Sequence, residues 1–134
     1  GDLMATPLQI NTMTASVVSA KKCVPKIVGQ SECQVINIKD ENRKIIIKGM
    51  EKACSPDGTA FPLFKYAGKL YCKTGTAQKG GLETLPNSWI SVVVPKGSSV
   101  DDWVVMTVLV EEGGEGSAVA GAVAAEIVGE ILDR

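Results

Sequence analysis

Lys73-Thr74-Gly75-Thr76-Ala77-Gln78 places one cation, two hydroxyls and a glycine at the end of the run Lys69-Leu70-Tyr71-Cys72. An ammonium flanked by hydroxyl donors suits a carboxylate, because it supplies a point charge together with directed hydrogen bonds. A glycine such as Gly75 within a strand marks a place where another backbone, or a ligand, comes close. An extended ligand could lie along such an edge and pair with its main chain, as in strand addition. The same residues also fit an edge strand whose lysine guards against pairing with another chain.

Other chemistries are narrowed by what the chain contains. It has no His and four Cys. Ser-His-Asp and Cys-His catalytic sites are therefore excluded within it, as is a mixed Cys/His zinc site. Cys23, Cys33, Cys54 and Cys72 form no C-x-x-C pair, so neither a metal nor any other cofactor is expected. Cys23 and Cys33 flank a hairpin and could be bridged in an oxidising compartment or remain free. Cys54 and Cys72 read as small core residues. Cys72 beside Lys73 is not read as an activated thiolate, since neighbours on a strand point to opposite faces.

With 134 residues, the chain fits one modest domain or a piece of a larger one. Hydrophobic residues make up 45% and aromatic ones only 4%, so the core must be aliphatic. A net charge of −1 gives no field that would favour nucleic acid or an anionic membrane. No apolar run reaches the roughly 18 residues that a membrane span needs, and the N-terminus does not read as a signal peptide.

The elements that must position the lysine strand follow from periodicity. Thr6-Pro7-Leu8-Gln9 is a helix start, with Thr6 as cap, Pro7 at the first helical position and Gln9 completing a capping box. Ile10, Met13, Val17 and Ala20 then give one apolar face, and the helix is expected to end near Lys21-Lys22. Lys26-Ile27-Val28 and Gln34 to Ile38 read as a hairpin around Gly29-Gln30-Ser31, with Pro25 making the first an edge strand. Asp40-Glu41 opens a second helix with Ile46, Gly49, Met50, Ala53 and Cys54 inward and Gly49 as a close-packing position. From Thr59 to Gly68 a loop is expected, anchored by Phe61, Phe64 and Tyr66.

Trp89 to Val94 and Trp103 to Val110 are near-continuous apolar runs, which predicts strands covered on both faces by helices. Their short connection makes them an antiparallel hairpin. Lys79 to Asn87 reads as a polar loop, and Glu111 to Gly116 as a solvated one. Ser117 is expected to cap a last helix with a stripe of Val119, Val123, Ile127 and Ile131. Ala120, Gly121, Ala124 and Ala125 keep that helix slim enough to lie close on a sheet. The result is one compact α+β unit, an antiparallel sheet flanked by helices on both faces.

The lysine motif resembles the Lys-Thr-Gly-Thr element of the penicillin-binding protein transpeptidases, serine enzymes that cross-link peptidoglycan and are acylated by β-lactams. Other stretches match in the family's order. Gly1-Asp2-Leu3-Met4-Ala5-Thr6-Pro7-Leu8-Gln9 is similar to its Gly-x-x-x-x-Thr-Pro-Leu-Gln helix start. Gly49-Met50 and Gly58-Thr59-Ala60 resemble its Gly-Met and Gly-Thr-Ala landmarks, and Ser88-Trp89-Ile90 with Pro95 resembles the strand after the motif. The resemblance runs over essentially the whole chain.

It implies a partial penicillin-binding/serine β-lactamase-like fold, with residues 1–134 as the C-terminal portion of one transpeptidase domain. The family's catalytic serine, in Ser-x-x-Lys, and its Ser-x-Asn loop lie before the Thr-Pro-Leu-Gln helix. The chain is therefore expected to lack the nucleophile and to be inactive alone. Ser19-Ala20-Lys21-Lys22 has the Ser-x-x-Lys spacing but sits at a helix end instead of a buried first turn. It and Ser31-Glu32-Cys33 read as decoys.

By resemblance, Lys73, Thr74, Gly75 and Thr76 form the substrate or β-lactam site of a peptidoglycan D,D-transpeptidase. Lys73 attracts the substrate carboxylate, the Thr74 and Thr76 hydroxyls bind it, and the Thr76 N–H is half of an oxyanion hole. The implied location is the extracytoplasmic face of a bacterial membrane. The family's sheet has five strands, of which this chain would hold three. The strand at Trp103-Val110 would then have an open edge, to be met by the remainder of the domain or by self-association. No nucleic-acid partner is expected. The alternatives are a non-catalytic peptide-binding or assembly module derived from this fold, or a β-lactam sensor or β-lactamase fragment.

Overall fold

A computed structural model describes residues 3–78, 80 and 84–133. Gly1 and Asp2 of the first matched stretch, and Lys79, Gly81, Leu82 and Glu83 of the loop after the lysine strand, lie outside the described residues.

Helix α1, Pro7–Ser19, starts as its sequence dictates. The Gln9 N–H donates to Thr6 Oγ1 at 3.3 Å, and the Thr6 N–H donates to Gln9 Oε1 at 2.8 Å. Its end comes earlier than the lysine pair. Ala20 turns left-handed, the Lys21 N–H donates to Ser19 Oγ at 3.1 Å, and Lys21–Cys23 becomes strand β1. The side buried against the body is that of Thr14 and Val18, while Met13 is exposed.

Strand β1 pairs antiparallel with β2, Cys33–Val35, in the register Lys21↔Val35 and Cys23↔Cys33. The hairpin is thus where the sequence places it, but its strands are not. Cys23 and Cys33 face each other and are bridged, and Pro25, lacking an N–H, stops the ladder just beyond Val24. Lys26-Ile27-Val28 is consequently loop, with Ile27 and Val28 in solvent.

Helix α2, Asp40–Ala53, carries Asp40 and Glu41 in its first turn, where acidic groups meet the positive end of the helix. Met50 and Cys54 are buried as expected. Ile46 is not, and a Cβ on Gly49 would meet nothing within 4 Å, so Gly49 is not a packing position. Cys54 and Cys72 are core residues with no solvent exposure, and they are also bridged to each other. The segment Phe61–Tyr66 forms a 3-10 turn rather than a loop, anchored by fully buried Leu63. Tyr66 joins it by donating its hydroxyl to the Ala125 carbonyl at 3.3 Å, whereas Phe61 is 52% exposed.

The main sheet is antiparallel, in the order β3 (Tyr71–Ala77), β4 (Asn87–Val94), β5 (Val104–Val110). Central β4 explains its own apolar run. Ile90, Val92 and Val94 pack with α3, Val119–Leu132, on one face, while Val93 meets Val18 and Met50 from α1 and α2 on the other. Strand β5 is the far edge, half-buried throughout.

Helix α3 turns its small side to the sheet. Ala120, Gly121, Ala124, Ala125 and Val128 are buried, and the larger Val119, Val123 and Ile127 are partly exposed, the reverse of a simple apolar stripe. A Cβ at Gly121 would stand 3.1 Å from Pro62 Cγ, so closeness of approach decides which face goes in. The cap also comes from elsewhere. Ser117 Oγ donates to Glu115 Oε1, and it is Ser88 Oγ of β4 that accepts from the Ala120 N–H at 3.0 Å.

Candidate ligand-binding edge

Strand β3 is the rim of the sheet, and the pairing Lys73↔Ser91, Gly75↔Trp89 and Thr76↔Ser88 sets its register. Alternation then separates Cys72, buried and bridged to Cys54, from exposed Lys73. The bridge rules out a thiolate next to the ammonium.

Beside this rim lies a cleft of about 700 Å³. Lys73 to Gln78, Trp89 and Ser91 form one wall, and Ile10, Met13 and Val17 of α1 with Ile46 and Met50 of α2 form the other. The apolar stripe read along α1 is therefore real, but it lines a cleft instead of filling the core. The same holds for Ile46, which is 42% exposed.

At the rim, Lys73 Nζ donates to the Thr74 carbonyl at 2.6 Å. Among the described residues no carboxylate lies within ion-pairing distance of it, so its charge faces the open cleft. Thr74 Oγ1 donates to Thr59 Oγ1 at 2.9 Å, and Thr76 Oγ1 accepts from the Gly116 N–H at 3.2 Å. Alternation sends the Lys73 side chain to one face of β3 and the Thr74 and Thr76 hydroxyls to the other. All three residues border the cleft at the sheet's rim, an arrangement open to an extended anionic ligand.

Two neighbours of this edge have no counterpart in the sequence reading as site residues. Thr59 is carried to Thr74 because Gly58 lets the chain fold back on α2, where a Cβ would run into the Lys52 and Ala53 carbonyls. Gly116 belongs to a loop expected only to be solvated, yet it sits against β3. The glycine spacing Gly113-Gly114-x-Gly116 is the one signal that could have pointed to it.

The decoys fall away. Ser19 Oγ donates to the Ala15 carbonyl at 2.7 Å at the end of α1, and Lys22 lies in β1, so the pair shares no helix face. Ser31 precedes the bridged Cys33 on the hairpin, remote in sequence and fold from the cleft wall.

Residues 1–133 match the penicillin binding protein transpeptidase domain. No curated relative matches the chain. Among solved structures, a chain from a peptidoglycan synthase complex that coordinates polymerization and crosslinking is similar, at 29% identity and a TM-score of 0.76. That match covers 92% of this chain and 23% of the other. The fold of PBPA from Mycobacterium tuberculosis superposes with a TM-score of 0.70 at 19% identity, over 98% of this chain and 35% of that one. A penicillin G acyl-enzyme complex of penicillin-binding protein A from the same organism gives 0.63 at 23% identity, over 99% and 32%. The chain therefore spans between about a quarter and a third of the length of these structures.

Proposed function

The chain belongs to the penicillin-binding protein transpeptidase family, and from that premise we propose that it supplies the carboxylate-binding strand of a peptidoglycan D,D-transpeptidase. On this reading residues 1–134 are the C-terminal portion of one such domain. The observation that carries it is the placement of Lys73, Thr74 and Thr76 on an exposed sheet edge at the wall of a large cleft.

Lys73 attracts the terminal carboxylate of a D-Ala-D-Ala stem or of a β-lactam, and the Thr hydroxyls orient it. Gly75 keeps the rim free of a side chain, so that the ligand backbone can approach. The Thr76 N–H supplies one of two oxyanion donors, and the attacking serine comes from outside this chain. A single oxyanion donor contributes about 3 kcal/mol to the barrier, which gives no useful rate without a nucleophile. The chain alone is inert.

The remainder of the domain would cover the apolar cleft wall and the open edge of β5. In its absence those surfaces favour self-association, which light scattering at rising concentration would detect. Two bridged cysteine pairs support an oxidising, extracytoplasmic setting. Among the described residues no helix is long and apolar enough to cross a membrane.

The test is intact mass after incubation with benzylpenicillin, paired with titration of a D-Ala-D-Ala peptide. No covalent adduct and peptide binding that Lys73→Ala weakens at least about tenfold are expected. Acylation at Ser19 would overturn the assignment of the nucleophile to another part of the protein. A second reading, a peptide-binding module without chemistry, shares the binding result. It is separated by whether a protein with the missing serine motif becomes acylated.

A further inference from the structure

The loop between β5 and α3 is built against the lysine strand in a way that solvation does not explain. A Cβ placed on Gly116 would run into the Gly75 carbonyl oxygen and stand 2.8 Å from both the Gly75 carbonyl carbon and the Trp89 oxygen. All three are backbone atoms of paired strands, so none can yield without moving β3 against β4. The loop is also anchored. Ser88 Oγ donates to the Glu115 carbonyl at 3.0 Å, and the Gly114 N–H donates to the Pro86 carbonyl at 2.9 Å.

From this position the Gly116 N–H donates to Thr76 Oγ1 at 3.2 Å. A hydroxyl has one proton and two lone pairs. With a lone pair of Thr76 occupied from behind, its proton has no acceptor among the described residues and is left for a ligand. Thr74 differs, because its proton is directed to Thr59 Oγ1 at 2.9 Å.

We infer that Gly116 is a positioning residue for the carboxylate subsite: its N–H aims the Thr76 hydroxyl, and its missing side chain lets the loop bear on the backbone of Gly75. Thr76 is then the principal hydroxyl donor and Thr74 the lesser one. This rests on the reading of β3 as a carboxylate receptor, and it adds which donor dominates and what holds it.

The experiment is an NMR titration of the chain with acetyl-D-Ala-D-Ala and, separately, with its C-terminal amide, which lacks the charge. Wild type should prefer the acid. Gly116→Ala should lower affinity for the acid about tenfold and leave the amide unchanged, a ratio that a general loss of structure would not move. Thr76→Val should do the same, Thr76→Ser should restore the preference, and Gly116→Ala added to Thr76→Val should cost nothing more. If Gly116→Ala does not fold, the comparison of Thr76→Val with Thr74→Val decides, the former expected to lose more. An unchanged acid-to-amide ratio in folded Gly116→Ala, or a larger loss from Thr74→Val, would overturn the inference. Full acid preference in Lys73→Ala would instead sink the underlying reading of the strand.

Discussion

Ser88→Ala removes one oxygen and should cost more than any other single-atom deletion on the sheet. Ser88 has no solvent exposure, and its Oγ serves two backbone groups: it donates to the Glu115 carbonyl and accepts from the Ala120 N–H, each at 3.0 Å. Ala120 lies in the first turn of α3, where the N–H groups have no partner within the helix. Losing a helix cap costs about 1 kcal/mol, and the Glu115 carbonyl, which keeps the Ala118 N–H at 3.2 Å, loses one further hydrogen bond worth about 0.5–1 kcal/mol. The sum is about 1.5–2 kcal/mol, which for a chain of this length lowers the melting temperature by roughly 5–8 °C. The control is Ser117→Ala. Sequence pattern alone makes Ser117 the cap, but among the described residues its hydroxyl donates to the exposed Glu115 side chain and to no helix N-terminal group, so its loss should cost about 1 kcal/mol or less. Urea unfolding of both variants, followed by circular dichroism, measures the difference. A cost below about 0.5 kcal/mol for Ser88→Ala, or a larger one for Ser117→Ala, would refute the assignment of the cap to β4.

Gly49→Ala should stabilise the chain by about 0.5–1 kcal/mol in the same assay, because the residue is helical, exposed and has open space where the methyl would go. The two disulfides close sequence separations of 10 and 18 residues, so removing either should cost about 3 kcal/mol on chain-entropy grounds. Mild reductant should open Cys23–Cys33 first, since Cys33 is exposed while Cys54 and Cys72 are fully buried, and alkylation followed by mass spectrometry would give the order.

Much of this molecule is legible in its residues because the signals are local. The Thr6-Pro7-x-Gln9 cap, the near-continuous apolar runs of β4 and β5, and the acidic opening of α2 each depend on neighbours in the chain. The lysine strand is legible for the same reason: one cation, two hydroxyls and a glycine in consecutive positions already mark an edge strand.

What the sequence could not settle lies where one element's chemistry is completed by another. Periodicity locates the apolar side of α1 and α2 but not what faces it, and Ile10, Met13 and Ile46 line a cleft because no other described element fills that space. In α3 Val119, Val123 and Ile127 point away, since the approach to Pro62 leaves no room for a side chain at Gly121. The pairing of Cys54 with Cys72, the Ser88 cap and the Gly116 contact all join residues at least 18 positions apart. Residue types alone determined a short strand that carries a lysine, two hydroxyls and a glycine. The aim of each hydroxyl was decided only by tertiary packing, because a hydrogen bond depends on distances that the order of residues does not contain.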